Sequence, residues 1–278
     1  MPSCAHFGNH KGRQVLELYR ALWRYRFFIV SSVRNDLRAR VARSQLGAIW
    51  MVLQPLAQVA IFSLVLSEVL AARLPGTTSK HAYAIYLMSG SLAWSLFSEI
   101  TSRCLSIFVD NASLLKKIVF PRICLPLIVV GSALVNSLLL FIAMLAIFLL
   151  MGHMPTVELL WLLPLVAVTV AFSLGLGLLL GVLNVFVRDI GQVMVIVLQL
   201  WFWLTPIVYM PSIVPGQFQR WLAFNPMLPI VQAYQQVILF QQSPSGQGVF
   251  WVAGLSLLLL GGALLLFRRA APDMVDVL

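Results

Sequence analysis

Charged residues are scarce in this chain. Of its 278 residues, 10% are charged and 60% are hydrophobic, whereas a soluble domain has about 25% charged and about 45–50% apolar residues. Residues 44–67 and 123–157 contain no Asp, Glu, Lys or Arg. We therefore predict an integral membrane protein, because no soluble core needs such long uncharged runs.

Other absences narrow the classes of function. The first fifteen residues hold no apolar run, so a cleaved signal peptide is not expected. The three cysteines and four histidines show neither metal-ligand spacing nor a disulfide framework, so no metal site is predicted. A G-x-x-x-x-G-K-[ST] phosphate loop is missing, and we do not expect this chain to hydrolyse ATP.

No catalytic set is apparent either. The nine acidic residues lie in loops or near the ends of apolar runs, and a proton-coupled transporter usually has ionisable residues within its spans. Glu99 and Arg103 are four residues apart and can pair at the cytosolic interface. We predict no catalytic residues and no cofactor bound by this chain.

Six apolar runs are long enough, or nearly so, to cross a bilayer. They predict an all-α membrane fold, divided into a cytosolic arm and interface helix (1–45) and a six-span domain (46–278). The predicted spans are Leu46 to Leu70, Ala82 to Ser98 with a continuation to Leu105, one within 123–157, one within 159–187, one at 190–210, and Val249 to Phe267.

The distribution of basic residues predicts the orientation. Sixteen of the 19 Lys and Arg residues fall on one side, nine of them before the first span, and only Arg73, Lys80 and Arg220 fall on the other. The positive-inside rule then places both termini and the 106–122 loop in the cytosol.

The arginine- and aromatic-rich stretch 15–43 is expected to lie in the membrane interface. Nucleic-acid binding is the alternative reading of its charge.

A cationic amphipathic stretch, NASLLKKIVFPR, lies at residues 111–122 between two spans. A solvated loop does not need so many large apolar residues, so this stretch is expected to dock. One alternative is a helix resting on lipid headgroups, and the other is a docking helix for a cytosolic partner. The docking candidates are Leu114, Leu115, Lys116, Lys117, Ile118, Phe120 and Arg122.

Polar and aromatic side chains follow helical stripes on the first, second and fifth spans. Glutamines can bond across helices and aromatics can fill gaps, so helix packing is one explanation. The other is a conduit in which aromatic faces stack on sugar rings and amides bind hydroxyls. The channel candidates are Trp50, Gln54, Gln58, Tyr83, Tyr86, Trp94, Phe97, Gln192, Gln199 and Trp203.

Two further patterns concern helix packing on the fourth span and the apolar outer stretch before the last span. Ser173, Gly177 and Gly181 form a small-xxx-small face on the fourth span, within one subunit or between two. The outer stretch 211–240 is unusually apolar and predicts two short helices, about 216–224 and 229–240. They form either a re-entrant outer gate or an interfacial belt. The gate candidates are Phe218, Trp221, Asn225, Pro226 and Tyr234.

Four motifs together resemble the permease subunits of type-2 ABC exporters, most closely those for bacterial polysaccharides such as O-antigen lipopolysaccharide. They are R-x-R-x-x-x-S-x-L-G-x-x-W from Arg38, LLKKIVFPR-x-x-x-P from Leu114, N-x-x-x-R-D-I from Asn184, and WFWLTPIVY followed by NP at 225–226. The resemblance covers nearly the whole chain.

The resemblance implies several expectations. The chain would be one of two permease copies in the bacterial inner membrane, working with two ATPase subunits that bind ATP and Mg. Ser113 to Phe120 would be the coupling helix, and the first, second and fifth spans would line the channel. The expected cargo is a lipid-linked polysaccharide. Alternatives are a teichoic-acid, capsule or other amphiphile exporter, or a membrane enzyme acting on lipid-linked sugar.

Overall fold

A computed structural model of the chain describes residues 25–39, 49–64, 82–113, 124–150, 152–211 and 214–277. Within these ranges the regular elements are helices, and no strand occurs among them. The helices are α1 (25–39), α2 (Ile49–Leu64), α3 (Ala82–Asp110), α4 (Cys124–Leu150), α5 (Leu162–Phe186), α6 (Asp189–Leu204), α7 (Gly216–Ala223), α8 (Met227–Ile238) and α9 (Gly246–Val277). A 3-10 helix, Val157–Trp161, leads into α5.

Four helical stretches are long and apolar enough to cross a membrane. They are α3, α4, the combined stretch Val157–Phe186, and Gly246–Ala270 of α9. Helix α6 is apolar but has 16 residues, which span about 24 Å of a hydrocarbon core about 30 Å thick. Helix α2 also has 16 residues, and the chain on both sides of it lies outside the described ranges. The all-α membrane fold is confirmed, while the count of six spans stays a prediction.

Two predicted boundaries are wrong. Helix α3 runs on to Asp110, so residues 106–110 are helical rather than part of a loop, because Ile107 and Phe108 are buried and Phe108 stacks on Phe267 of α9. The second outer helix begins at Met227 instead of 229. Proline is tolerated in a first helical turn, so Pro229 does not delay the start.

The centre of the fold is α5, which packs between α3 and α9. A Cβ atom built on Gly177 would lie 2.7 Å from Cys104 Cβ on α3, and one on Gly175 would lie 2.8 Å from the Leu260 nitrogen on α9. Gly181 also lies directly against the Cys104 backbone. The small-xxx-small face of α5 is therefore a contact within one chain, which decides between the two alternatives.

An ionic cluster joins three helices. Arg103 on α3 lies 2.9 Å from the Asp36 carboxylate on α1 and 3.7 Å from Glu99, so the predicted i, i+4 pair is present. Asn136 on α4 donates a 2.7 Å hydrogen bond to Glu99. These contacts fix α1 and α4 against the C-terminal half of α3.

Candidate functional site

A groove of about 520 Å³ lies between α2, α3 and α6. It brings together four of the channel candidates, one from α2, one from α3 and two from α6: Gln58, Trp94, Gln199 and Trp203. The remaining lining residues are Pro55, Ser91, Ser95, Ser98, Leu198 and Phe202. The lining therefore combines amide, hydroxyl and aromatic side chains on three different helices.

The polar groups of the groove are largely unused by the protein. The side chains of Gln58, Ser91 and Gln199 make no hydrogen bond to any residue in the described ranges. Ser95 donates to the Leu92 carbonyl at 3.0 Å and Ser98 donates to the Ser95 carbonyl at 3.3 Å, which leaves their oxygens able to accept. The groove can thus offer both donors and acceptors to a ligand.

The three serines are site residues that the sequence analysis missed. Ser91, Ser95 and Ser98 recur at i, i+4 and i+7 and share a helix face with Trp94. The spacing of the tyrosines and Trp94 drew attention to a neighbouring face of the same helix. The helical spacing of these three serines was the sequence signal that could have identified them as groove residues.

Three other channel candidates are buried inside a single chain. Tyr83 donates to the Val208 carbonyl at 2.6 Å, and Tyr86 lies 3.1 Å from the Pro206 and Tyr209 carbonyls. Phe97 is fully buried between α5 and α6. These side chains hold the 206–209 connection and the core together and do not line the groove.

The remaining channel candidates are exposed but lie outside the groove. They are Trp50 and Gln54 on α2 and Gln192 on α6. Gln54 precedes Gln58 by one helical turn, and Gln192 precedes Gln199 by two. They extend the amide stripes beyond the groove, on surfaces that a single chain leaves uncovered.

An aromatic cluster supports the floor of the groove. The Trp94 ring lies 5.6 Å from Phe202, 5.2 Å from Phe97 and 6.4 Å from Trp201, measured between ring centroids. Edge-to-face arrangements at these distances are favourable. Trp203 also lines the groove but, unlike the buried Trp94, has 56% of its surface exposed.

An apolar cavity of about 730 Å³ lies on the opposite face of α6. Val197, Leu200, Trp201 and Leu204 supply its α6 wall. Tyr209 and six residues of the outer stretch form the other wall: Val214, Trp221, Leu222, Phe224, Asn225 and Pro226. Three of these, Trp221, Asn225 and Pro226, are gate candidates.

Asn225 joins the outer helices to α6. Its Oδ1 accepts hydrogen bonds from Trp201 Nε1 at 2.8 Å and from the Met227 amide at 2.9 Å. Its Nδ2 donates to Thr205 Oγ1 at 3.0 Å and to the Leu204 carbonyl at 3.3 Å. The turn between α7 and α8 is therefore held against the end of α6.

The other gate candidates occupy different environments. Trp221 is 76% exposed, whereas Tyr234 is buried on α8, with its hydroxyl 3.5 Å from Thr169 of α5. The side chain of Phe218 lies outside the described residues, as do all seven docking candidates between 114 and 122. Helix α3 leads directly to that stretch.

One motif has a structural explanation. Asn184 donates from Nδ2 to the Leu105 carbonyl of α3 at 3.1 Å and accepts from the Gly191 amide at 2.8 Å. It therefore ties the end of α5 and the start of α6 to α3. The neighbouring Arg188 and Asp189 are exposed.

Comparison with known proteins gives a consistent result. An O-antigen export system permease protein RfbA of Myxococcus xanthus is 29% identical over 264 residues, covering 94% of this chain and 99% of the relative. An RfbA of Klebsiella pneumoniae is 28% identical, covering 77% and 82% respectively. The polysialic acid transport protein KpsM of Escherichia coli is 21% identical, covering 87% and 92%. Residues 28–239 match the ABC-2 type transporter family, and the chain therefore belongs to this family as a transport permease rather than an enzyme.

Proposed function

We propose that this permease exports a lipid-linked polysaccharide of the O-antigen type. The observation that carries the proposal is the difference between the two faces of α6. One face of α6 borders the groove, whose walls carry amide, hydroxyl and indole groups from three helices. The other face borders the apolar cavity. An amphiphile with a hydroxyl-rich chain and a lipid tail has a matching surface for each part. The names of the relatives support the same cargo.

We further propose the full membrane arrangement. Helices α2 and α6 complete six spans in the bacterial inner membrane, with both termini in the cytosol. Helices α7 and α8 form a re-entrant outer gate. The supporting observation is that α7 and the turn before α8 line the apolar cavity. The 16-residue α6 reaches only part of the way across, and the apolar outer pair continues where it ends.

Two copies of the chain are proposed to form the conduit. Trp50 on α2 is 51% exposed and Trp203 on α6 is 56% exposed, and exposed amides accompany both. A glutamine facing lipid would leave its amide without a partner. A second copy facing these surfaces would enclose the groove instead.

The family implies an ABC ATPase partner, which would bind the ATP and Mg. We propose that its closure moves the 111–122 segment and that α3 transmits the movement. The groove serines and the approach to this segment belong to one unbroken helix. Ser98 and Asp110 are twelve residues apart, which is about 18 Å along a helix. A push at the cytosolic end would therefore displace the groove floor directly.

Substitution of Trp203 tests the conduit. Stacking on an aromatic ring contributes about 1–3 kcal/mol in nucleic-acid complexes, and a sugar face should give no more. Trp203→Ala is expected to lower export by about fivefold to tenfold, with normal abundance and normal basal ATP hydrolysis by the bound partner. The measurement is transfer of a lipid-linked glycan across reconstituted vesicles.

Trp201→Ala is the matched control on the same helix. Trp201 packs against Phe97 and Phe172 and bonds Asn225, so this change should lower abundance and export together. Equal loss of abundance in Trp203→Ala would support helix packing instead of a conduit. Activity on lipid-linked sugar without any ATPase would favour the membrane enzyme.

A further inference from the structure

We propose that the groove selects glycans without charge and rejects polyanionic ones, by offering hydrogen bonds without any ionic partner. This inference rests on the proposed function of the groove as a glycan path. Its lining residues in the described ranges are serine, glutamine, tryptophan, phenylalanine, leucine and proline. None of these side chains is ionisable near neutral pH.

The helices that build the groove carry little positive charge. Their described residues include three carboxylates, Glu99, Asp110 and Asp189, and a single basic side chain, Arg103. Arg103 is already paired with Asp36 and Glu99. A polyanion in the groove would therefore meet no uncommitted cation on these helices.

The floor of the groove has an indole N–H donor, on Trp94. Only 9% of the surface of Trp94 is exposed. Its indole N–H makes no hydrogen bond to a described residue. This nitrogen is not fully enclosed by the protein. The nitrogen therefore keeps some exposure, and Trp94 lines the groove one helical turn from Ser91.

A sugar hydroxyl suits this set because it both donates and accepts. It can accept from the Trp94 N–H and donate to the Ser91 oxygen, while the amides of Gln58 and Gln199 serve the next residues of the chain. A carboxylate or phosphodiester can only accept, and it loses its hydration without gaining a countercharge. The uncharged lining thus discriminates against anionic glycans, because it offers no positive charge to offset their lost hydration.

The test compares two probes in vesicles that contain the permease and its ATPase. Both probes carry the same dialkylglycerol anchor and the same number and linkage of sugars, but one is a tetrahexose and the other a tetrahexuronate. The neutral probe is expected to stimulate ATP hydrolysis and to cross the vesicle membrane at least about tenfold better. Equal transfer of the two probes, or faster transfer of the anionic one, would overturn the inference.

Two matched pairs of variants assign the selectivity to the groove. Gln199→Lys should raise transfer of the anionic probe relative to the neutral one by about fivefold or more, whereas Gln247→Lys, at an exposed glutamine at the start of α9, should leave the ratio unchanged. Ser91→Ala should weaken transfer of the neutral probe, whereas Ser102→Ala, further along α3 and outside the groove lining, should not. Matching shifts in the control variants would refute a groove origin.

The outcomes also separate this inference from the proposed function. If neither probe is transferred while the ATPase is bound and active, the glycan path itself is refuted and the selectivity with it. If both are transferred equally, the export function stands and only the selection of uncharged glycans fails.

Discussion

Replacing Asn225 by alanine would release the outer helices from α6. The change removes four hydrogen bonds: two that Oδ1 accepts, from Trp201 and Met227, and two that Nδ2 donates, to Leu204 and Thr205. A hydrogen bond contributes about 0.5–1.5 kcal/mol net, and one of these, at 3.3 Å, is long, so we expect a loss of about 2–4 kcal/mol in unfolding free energy.

The assay has two readouts. Unfolding of the detergent-solubilised protein measures the free energy, and leak of a small solute from vesicles without ATP measures the seal. Because Asn225 and Pro226 both border the apolar cavity, Asn225→Ala should destabilise the protein and also make the vesicles leak. The double change of Asn225 to Gly and Pro226 to Ser should leak more, since it also removes a fixed backbone angle.

Gln219→Ala is the matched control. Gln219 lies on the neighbouring α7, is exposed, and donates a single bond to the Val214 carbonyl at 2.9 Å. If Asn225→Ala is no less stable than this control, the reasoning from its four bonds fails. If it is less stable but its vesicles stay tight, the joint is real and the outer pair is no seal.

Two further predictions concern the coupling segment and the helix packing. Changing Leu115 and Ile118 to Asp should leave membrane insertion intact but abolish ATP-driven export, and normal export with the ATPase bound would contradict the coupling assignment. Gly177→Ala should lower the unfolding free energy in detergent by about 1–3 kcal/mol through crowding against Cys104. Gly254→Ala on α9, where nothing lies within 4 Å of a new Cβ, should be neutral or stabilising by up to about 1 kcal/mol, and equal effects of the two changes would refute the packing argument.

The helical membrane fold could be predicted from composition because long uncharged runs have few other uses. The two outer helices were also predicted: Pro215 marks the start of the first, whereas the start of the second was placed two residues late. The length of α3 was not predictable from hydropathy. Its last turns carry Arg103 and Asp110, which look like the end of a span, while Phe108 between them is buried against α9.

The groove was only partly predictable, because period alone does not tell which side of a helix faces the core. Tyr83 and Tyr86 share a stripe with Trp94 in the sequence, yet they bond the 206–209 backbone inside the chain. The signal that separates them is the hydrogen-bond partner: each tyrosine has a buried carbonyl, whereas the Trp94 N–H has no partner among the described residues. Such partners become visible only when the helices are packed.

The sequence WFW at 201–203 shows most directly what packing adds. Successive residues on a helix point about 100° apart, so three adjacent aromatics must face three directions. Trp201 lines the apolar cavity and bonds Asn225. Phe202 lines the groove and packs on Trp94, and Trp203 lines the groove with over half of its surface exposed. Helix α6 is therefore a shared wall, so any movement of it changes the groove and the cavity at the same time. An exporter that must move a sugar chain and its lipid anchor together gains from that arrangement, because one displacement acts on both surfaces.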